Sequence, residues 1–221
     1  MGAKKHIMLK RKIILWGCKV IAIMPYNRER AVEYAKRWAR GRNPLFFDFT
    51  GGGGNCTSFV SQCLWAGSLS TDPSQPFGWY YVSVNDRAPA FSGVNEFYAY
   101  LCGVNGFPPV NSRRGPFAVE VMREMVQIGD VVQLANRSGR FYHTLIVSGF
   151  DPSLSDGGIL VCANSDDALD RPLSTYNYAA VRFLHVLGVN IETNGADELY
   201  TGLLDGTALP PASLIYSPAV E

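Results

Sequence analysis

The chain has 221 residues, 18% of them charged and 47% apolar, with a formal net charge of +1. That balance excludes a wholly disordered chain and an electrostatically driven nucleic-acid binder, and it supports one domain with a sizeable core. No run of about 18 uncharged apolar residues is present to span a membrane. The charge is uneven: residues 1–40 hold 11 of the 20 basic residues, and no Lys or Arg follows Arg182. The sequence therefore divides into a basic, apolar head (1–24), a balanced domain (25–190) and an acidic tail (191–221) that reads as loosely structured.

The head runs from a basic start into an apolar stretch at Ile13–Met24. This is the order of a secretory signal, but Lys19 interrupts the stretch and no small-x-small site precedes Pro25. A signal, an amphipathic arm and a cloning remnant all remain open. After Pro25, Asn27 is placed to cap a helix whose buried face is Ala31, Tyr34, Ala35 and Trp38, at the i, i+3, i+4, i+7 spacing. Gly41 ends it. An apolar loop, 43–50, leads into Gly51–Gly54. A second helix then opens at Cys56 and stops at Gly67, with Phe59, Val60, Cys63 and Leu64 as its apolar stripe. A third helix is expected over Val94, Phe97, Tyr98 and Leu101, capped by Ser92, and residues 103–118 read as loop.

From there the period changes to that of strands: 131–134 after the turn Gly129-Asp130, then 142–149, 159–162 and 181–187, separated by hairpin-like turns. Helices followed by strands with short returns predict an α+β fold with an antiparallel sheet.

The five cysteines are irregularly spaced, with no Cys-x-x-Cys pair, so neither a zinc ribbon nor a redox motif is expected. Cys56 is different in its setting. At a helix start it feels the positive end of the helix dipole, which favours thiolate. The glycines before it permit positive φ and close approach of a ligand, and N–H groups at the turn are candidate oxyanion donors. A cysteine on an apolar stripe can equally be a small core residue.

A thiol nucleophile needs a base. His143 opens a strand after a turn, whereas His185 lies within an apolar run and reads as a packed sheet residue. An adjacent imidazolium would further favour the thiolate. A third group must orient the imidazole. Asn164, at the end of the strand 159–162, is the first candidate and Asp166 its rival. Trp79, Tyr80 and Tyr81 are candidates for a groove wall or for simple core packing.

Several segments together resemble a known family. They are Tyr26-Asn27-Arg28, Gly54-Asn55-Cys56-Thr57-Ser58-Phe59-Val60-Ser61-Gln62-Cys63-Leu64, Trp79-Tyr80, Gly129-Asp130, His143-Thr144-Leu145-Ile146-Val147, and Asn164-Ser165-Asp166-Asp167 with Arg171-Pro172-Leu173. They look like the putative amidase domain of bacterial cell-envelope proteins, a group similar to the papain-like NlpC and CHAP cysteine hydrolases. The resemblance implies a papain-like fold with N-terminal helices packed on the sheet. It implies Cys56 as nucleophile, His143 as base and Asn164 as the orienting residue, where the family more often shows His-Thr-Asn-Asp. Gly54, Asn55 and Tyr26 become candidates for support around the oxyanion, and Trp79, Tyr80 and Asp166 for substrate contact. The implied substrate is a peptide or amide, plausibly in peptidoglycan, in a secreted or cell-wall setting, with no metal or other cofactor, no nucleic acid and no stable membrane insertion. A catalytically silent binding module, and an acyltransferase or toxin on the same fold, are the alternatives.

Overall fold

A computed structural model describes residues 23–154, 158–190 and 202–207. The Cys18 part of the head, and most of the tail, lie outside the described residues.

Helix α1 (Arg28–Trp38) starts where Asn27 accepts a hydrogen bond from the Arg30 N–H at 2.9 Å, and it buries Ala31, Tyr34 and Ala35. Helix α2 (Cys56–Ser68) is buried along its whole length. It does not stop at Gly67. It closes one residue after Ser68, at Leu69, which takes the left-handed conformation with φ 48°. Gly67 is needed for a different reason. A Cβ there would run into the Tyr26 ring and sit 2.7 Å from the Asn27 carbonyl. The missing side chain lets the start of α1 cross the end of α2 at backbone contact.

A small hairpin, β2 (Tyr81–Ser83) and β3 (Asp86–Arg87), leads to a single-turn helix α3 (Pro89–Ser92) and then to α4 (Val94–Cys102). Ser92 therefore ends α3 rather than capping the next helix, and Gly93 is the N-cap of α4.

Among the described residues the main sheet is antiparallel and seven-stranded. In spatial order β5 (Val131–Ala135), β6 (Phe141–Phe150), β7 (Ile159–Ala163) and β8 (Ala168–Pro172) follow one another. On the far side of β5 lies the long strand β9 (Ala180–Asn190), whose end also pairs with β1 (Ile23–Met24). The other edge of β9 carries β4 (Gly115–Val121). This strand begins inside the stretch 103–118 expected to be loop and runs past its end. Its Gly-Pro start hides a strand, and an edge tolerates the proline that a central strand would not.

Side chains alternate across the sheet. Ile146, Cys162, Leu184 and Val186 join the helices in the main core, with Trp65, Trp79, Phe91 and Tyr100. Leu145, Val147, Val161 and Phe183 line a second cluster, against which Tyr176 packs. Helices first and antiparallel sheet second is the α+β order expected. Leu203, in the described piece of the tail, is fully buried, and the Asn43 amide and Trp38 indole donate to the carbonyls of Leu203 and Leu204 at 2.9 and 2.6 Å.

Candidate active site

Cys56 is the first residue of α2, and only 6% of it is exposed. The chain reaches it through Gly51, Gly53 and Gly54 at φ +96°, +122° and +100°, angles that side-chain-bearing residues rarely adopt. The N-cap, Asn55, makes no side-chain capping bond, so its amide leaves the first N–H groups of the helix to other acceptors. The Cys56 Sγ lies 3.9 Å from the Thr57 hydroxyl.

One bond fixes this helix start against the sheet. The hydroxyls of Thr57 and Thr144 are 2.9 Å apart and buried. Gln133 donates to Thr144 at 3.2 Å, and the Arg182 guanidinium donates to Gln133 at 2.7 Å. The residues following Cys56 and His143 are thus locked together, and their main chains are brought to the same end of the sheet. This pair was not anticipated from the sequence; two threonines, each one position after a candidate catalytic residue, were the available signal.

The His143 ring is nine-tenths buried and flanked by Tyr142 and Tyr176, with centroids at 6.2 and 5.9 Å. It is in phase with Leu145 and Val147, which line the second cluster. Its Nε2 is buried without a hydrogen-bond partner among the described residues. No hydrogen bond joins the ring to Cys56 among those residues. Burial pulls His143 down to about 4, with Asp166 raising it and Arg171 lowering it by lesser amounts. At neutral pH the resting ring is therefore neutral. It does not supply the imidazolium expected beside the thiol.

His185 is committed elsewhere. Its Nδ1 lies 2.7 Å from Asp130, which is fully buried and also accepts from Arg28 at 2.6 Å and from the N–H groups of Val186 and Gln127 at 3.1 and 2.8 Å. Gly129-Asp130 is thus the hub of a lock between α1 and the sheet.

The expected orienting residue sits differently from its sequence assignment. Ile146 pairs with Cys162 across β6 and β7, so two steps on Thr144, not His143, stands opposite Asn164. The Asn164 oxygen accepts from the Asn55 amide at 2.7 Å. Its own amide donates to the carbonyls of Trp38 and Gly41, each at 3.0 Å, and so satisfies the open end of α1. Asn164 holds Asn55, and Asn55 holds the loop before Cys56. The Ser165 hydroxyl accepts from the Asn55 N–H, a second tie from the same turn.

Two further assignments change, those of Tyr26 and Trp79. Tyr26 lies at the far end of α2, against Gly67, with its hydroxyl on the Gly129 carbonyl at 3.2 Å; eleven residues at 1.5 Å rise put it about 16 Å from Cys56. It cannot serve an oxyanion there. Trp79 is fully buried, donating to the Ser61 hydroxyl at 3.0 Å and stacked on Tyr100, so it is core. Tyr80 is 5% exposed, and its hydroxyl meets Gln75 and Asp86 at 2.7 and 3.2 Å beside a hollow of about 270 Å³ lined also by Pro76, Arg87 and Pro89. Asp166 is exposed and paired with Arg171 at 3.1 Å, close enough to His143 to act on its charge. Cys63 and Cys162 are buried thiols held above the usual range by burial. Among the described residues no group of His, Cys, Asp and Glu could hold a metal ion, and no helix is long and apolar enough to cross a membrane.

A family model described as "Putative amidase domain" matches residues 25–187. The chain belongs to that amidase family. A relative, "Uncharacterized protein YhbB" of Bacillus subtilis (strain 168), is 33% identical over 130 residues, 57% of this chain. The match covers only 38% of that relative's length. No solved structure matches this chain.

Proposed function

We propose that this amidase domain cleaves a peptide or amide bond through an acyl-thioester on Cys56, with His143 as general base and peptidoglycan as the substrate class. The observation that carries the reading is the setting of Cys56, the first residue of an uncapped α2 that the chain reaches through three glycines at positive φ. The Thr57–Thr144 bond holds the strand bearing His143 against that helix start, with Thr144 facing α2 and the His143 ring on the opposite face beside Tyr176, so the reading requires the ring to swing round the strand toward Cys56, while His185 is locked to Asp130. Hydrogen bonds of a resting site commonly tighten only when substrate is bound.

In the first step the thiol proton passes to His143 as sulfur bonds to the carbonyl carbon. The oxyanion faces the N–H groups at the start of α2. The C–N bond then breaks, and His143 returns the proton to the departing amine. Water, deprotonated by His143, attacks the thioester and releases the carboxylic acid and the free thiol.

Incubation with purified sacculi, followed by mass analysis of the fragments, tests the reading beside Cys56→Ala. New amine and carboxyl ends made by the wild type alone support it. New amine ends made by the wild type alone, with the acyl group found on an added amine instead of as a free carboxyl, would favour the acyltransferase. No turnover and no Cys56-selective labelling by an acylating thiol probe would leave a binding module.

A further inference from the structure

Residues 202–207, in the acidic tail, pack on the elements that lead the chain to Cys56. Residues 202–205 form one turn of helix, closed by the Thr207 N–H on the Gly202 carbonyl at 2.9 Å. Leu203 is fully buried in the main core, and Leu204 packs against it. The Trp38 indole and the Asn43 amide donate to the Leu204 and Leu203 carbonyls at 2.6 and 2.9 Å. Gly206, at φ +75°, lies so close that a Cβ would come within 3.0 Å of Pro44 and 3.1 Å of both Asn43 and Trp38. This short segment thus grips both sides of the turn that follows α1, Trp38 before it and Asn43 after it. We propose that residues 202–207 are a strap that positions the loop carrying Cys56, with Leu203 as its anchor, and that the nucleophile is held in place only while the strap is docked.

Two routes of hydrogen bonds run from the strap to the start of α2. On the first, the Asn43 amide, itself buried, also donates to the Tyr34 hydroxyl at 2.8 Å. Tyr34 donates to Gln62 at 2.8 Å, and Gln62 to Ser58, in the first turn of α2, at 3.3 Å. The Asn43 oxygen accepts from the Leu45 N–H at 2.9 Å and so sets the direction in which the loop leaves α1. On the second route, the end of α1 that the strap grips offers its Trp38 and Gly41 carbonyls to Asn164, and Asn164 holds Asn55. The routes converge, because Asn43, Gln62, Asn55 and Asn164 line one cavity of about 10 Å³. That is room for about one water at most, so a shift of one wall is felt by the others.

The inference rests on the reading of Cys56 as nucleophile, but the docking of the strap is measured without it. In the full chain, Leu203→Asp should release the strap, and Gly206→Val should lift it without opening the core. Hydrogen exchange read by mass spectrometry should then speed up in peptides covering residues 43–55 and stay unchanged in β5, β6 and β7. With sacculi as substrate, the saturating rate should fall about 10- to 100-fold, the scale for a catalytic group misplaced by about 1 Å, while the half-saturating amount stays the same. Leu203→Met keeps an apolar anchor and should restore both exchange and rate. Exchange at 43–55 that ignores both Leu203→Asp and Gly206→Val overturns the strap, whatever Cys56 proves to do. Faster exchange with turnover equal to or above the wild type overturns its positioning role. If Leu203→Asp fails to fold, Gly206→Val decides alone. If the wild type does not cleave sacculi, the nucleophile reading loses its support, and exchange still decides whether the strap holds the loop.

Discussion

The two ends of α2 make opposite use of histidine. At its C-terminal end, Asp130 accepts from Arg28, His185 and two backbone N–H groups, and Gly67 lets α1 come to backbone contact. At its N-terminal end, which Thr144 ties to the strand bearing His143, that histidine is more deeply buried than His185 but has an unpartnered nitrogen, and Cys56 stands behind three glycines in positive-φ conformations. A buried polar atom without a partner costs about 1–3 kcal/mol. The fold avoids that cost for His185 and carries it at His143, and unsatisfied groups are common in working sites.

The largest separations should appear in activity. Cys56→Ala should abolish turnover of whatever amide the wild type cleaves, and His143→Gln should lower it on the order of 100- to 10,000-fold. Cys56→Ala should leave the denaturation midpoint close to wild type, and His143→Gln should lower it only modestly at neutral pH, through the ring packing lost against Tyr142 and Tyr176. His185→Gln should do the reverse, with turnover within a few-fold of wild type and a lower midpoint. An inactive, well-folded His185→Gln beside an active His143→Gln would invert the comparison.

At the saturated end the effects should be on stability. Asp130→Ala strands Arg28 and His185 and should cost about 3 kcal/mol, the lower end for breaking a buried pair because Arg28 keeps partial contact with water. Gly67→Ala should cost about 1–3 kcal/mol, because the close neighbours include main chain that cannot step aside. Urea unfolding with unchanged m-values measures both. Asn164→Ala should fall between the two behaviours. It should cost about 1–2 kcal/mol through the freed carbonyls of α1 and the released Asn55, and reduce turnover less than His143→Gln does. A turnover loss matching that of His143→Gln, at equal stability, would return the orienting role to Asn164.

The sequence carried much of this, unevenly. The buried face of α1 was legible because its 3.6 period is regular and its cap stands in place. The start of α2 was legible from the glycine run, but not its end, since Gly67 looks like a stop signal and acts as a spacer for Tyr26. Strand β4 was hidden by its Gly-Pro opening. Cys56 and His143 could be picked out as candidates from their local settings. The orienting group could not, because it depends on the β6–β7 register: a slip of one residue exchanges the partner of Asn164 between His143 and Thr144. Trp79 and Tyr26 were misplaced for a similar reason. An aromatic residue near a motif in sequence says nothing of which layer it fills.

The smallest effect is also the most direct probe of the unsaturated end. Burial holds folded His143 at about 4, against about 6.5 when unfolded. Between those values the unfolded chain binds more protons than the folded one, so stability falls as pH is lowered from about 6.5 to about 4, and this group takes nothing further from it below that. The slope from one site is at most about 1.4 kcal/mol per pH unit. Asp48 and Asp151, held below the usual carboxylate range by hydrogen bonds from Thr50 and Ser153, act only below that window. The difference between wild-type and His143→Gln stability, measured by urea unfolding at half-unit steps from pH 7 to 4, should therefore narrow or reverse toward acid in favour of the variant. His185→Gln keeps the His143 ring and should leave the acid slope of the wild type in place. A wild-type curve that stays flat across this window would mean that the ring reaches a partner or water in solution, and the contrast between the two ends of α2 would then rest on Cys56 and its glycines alone.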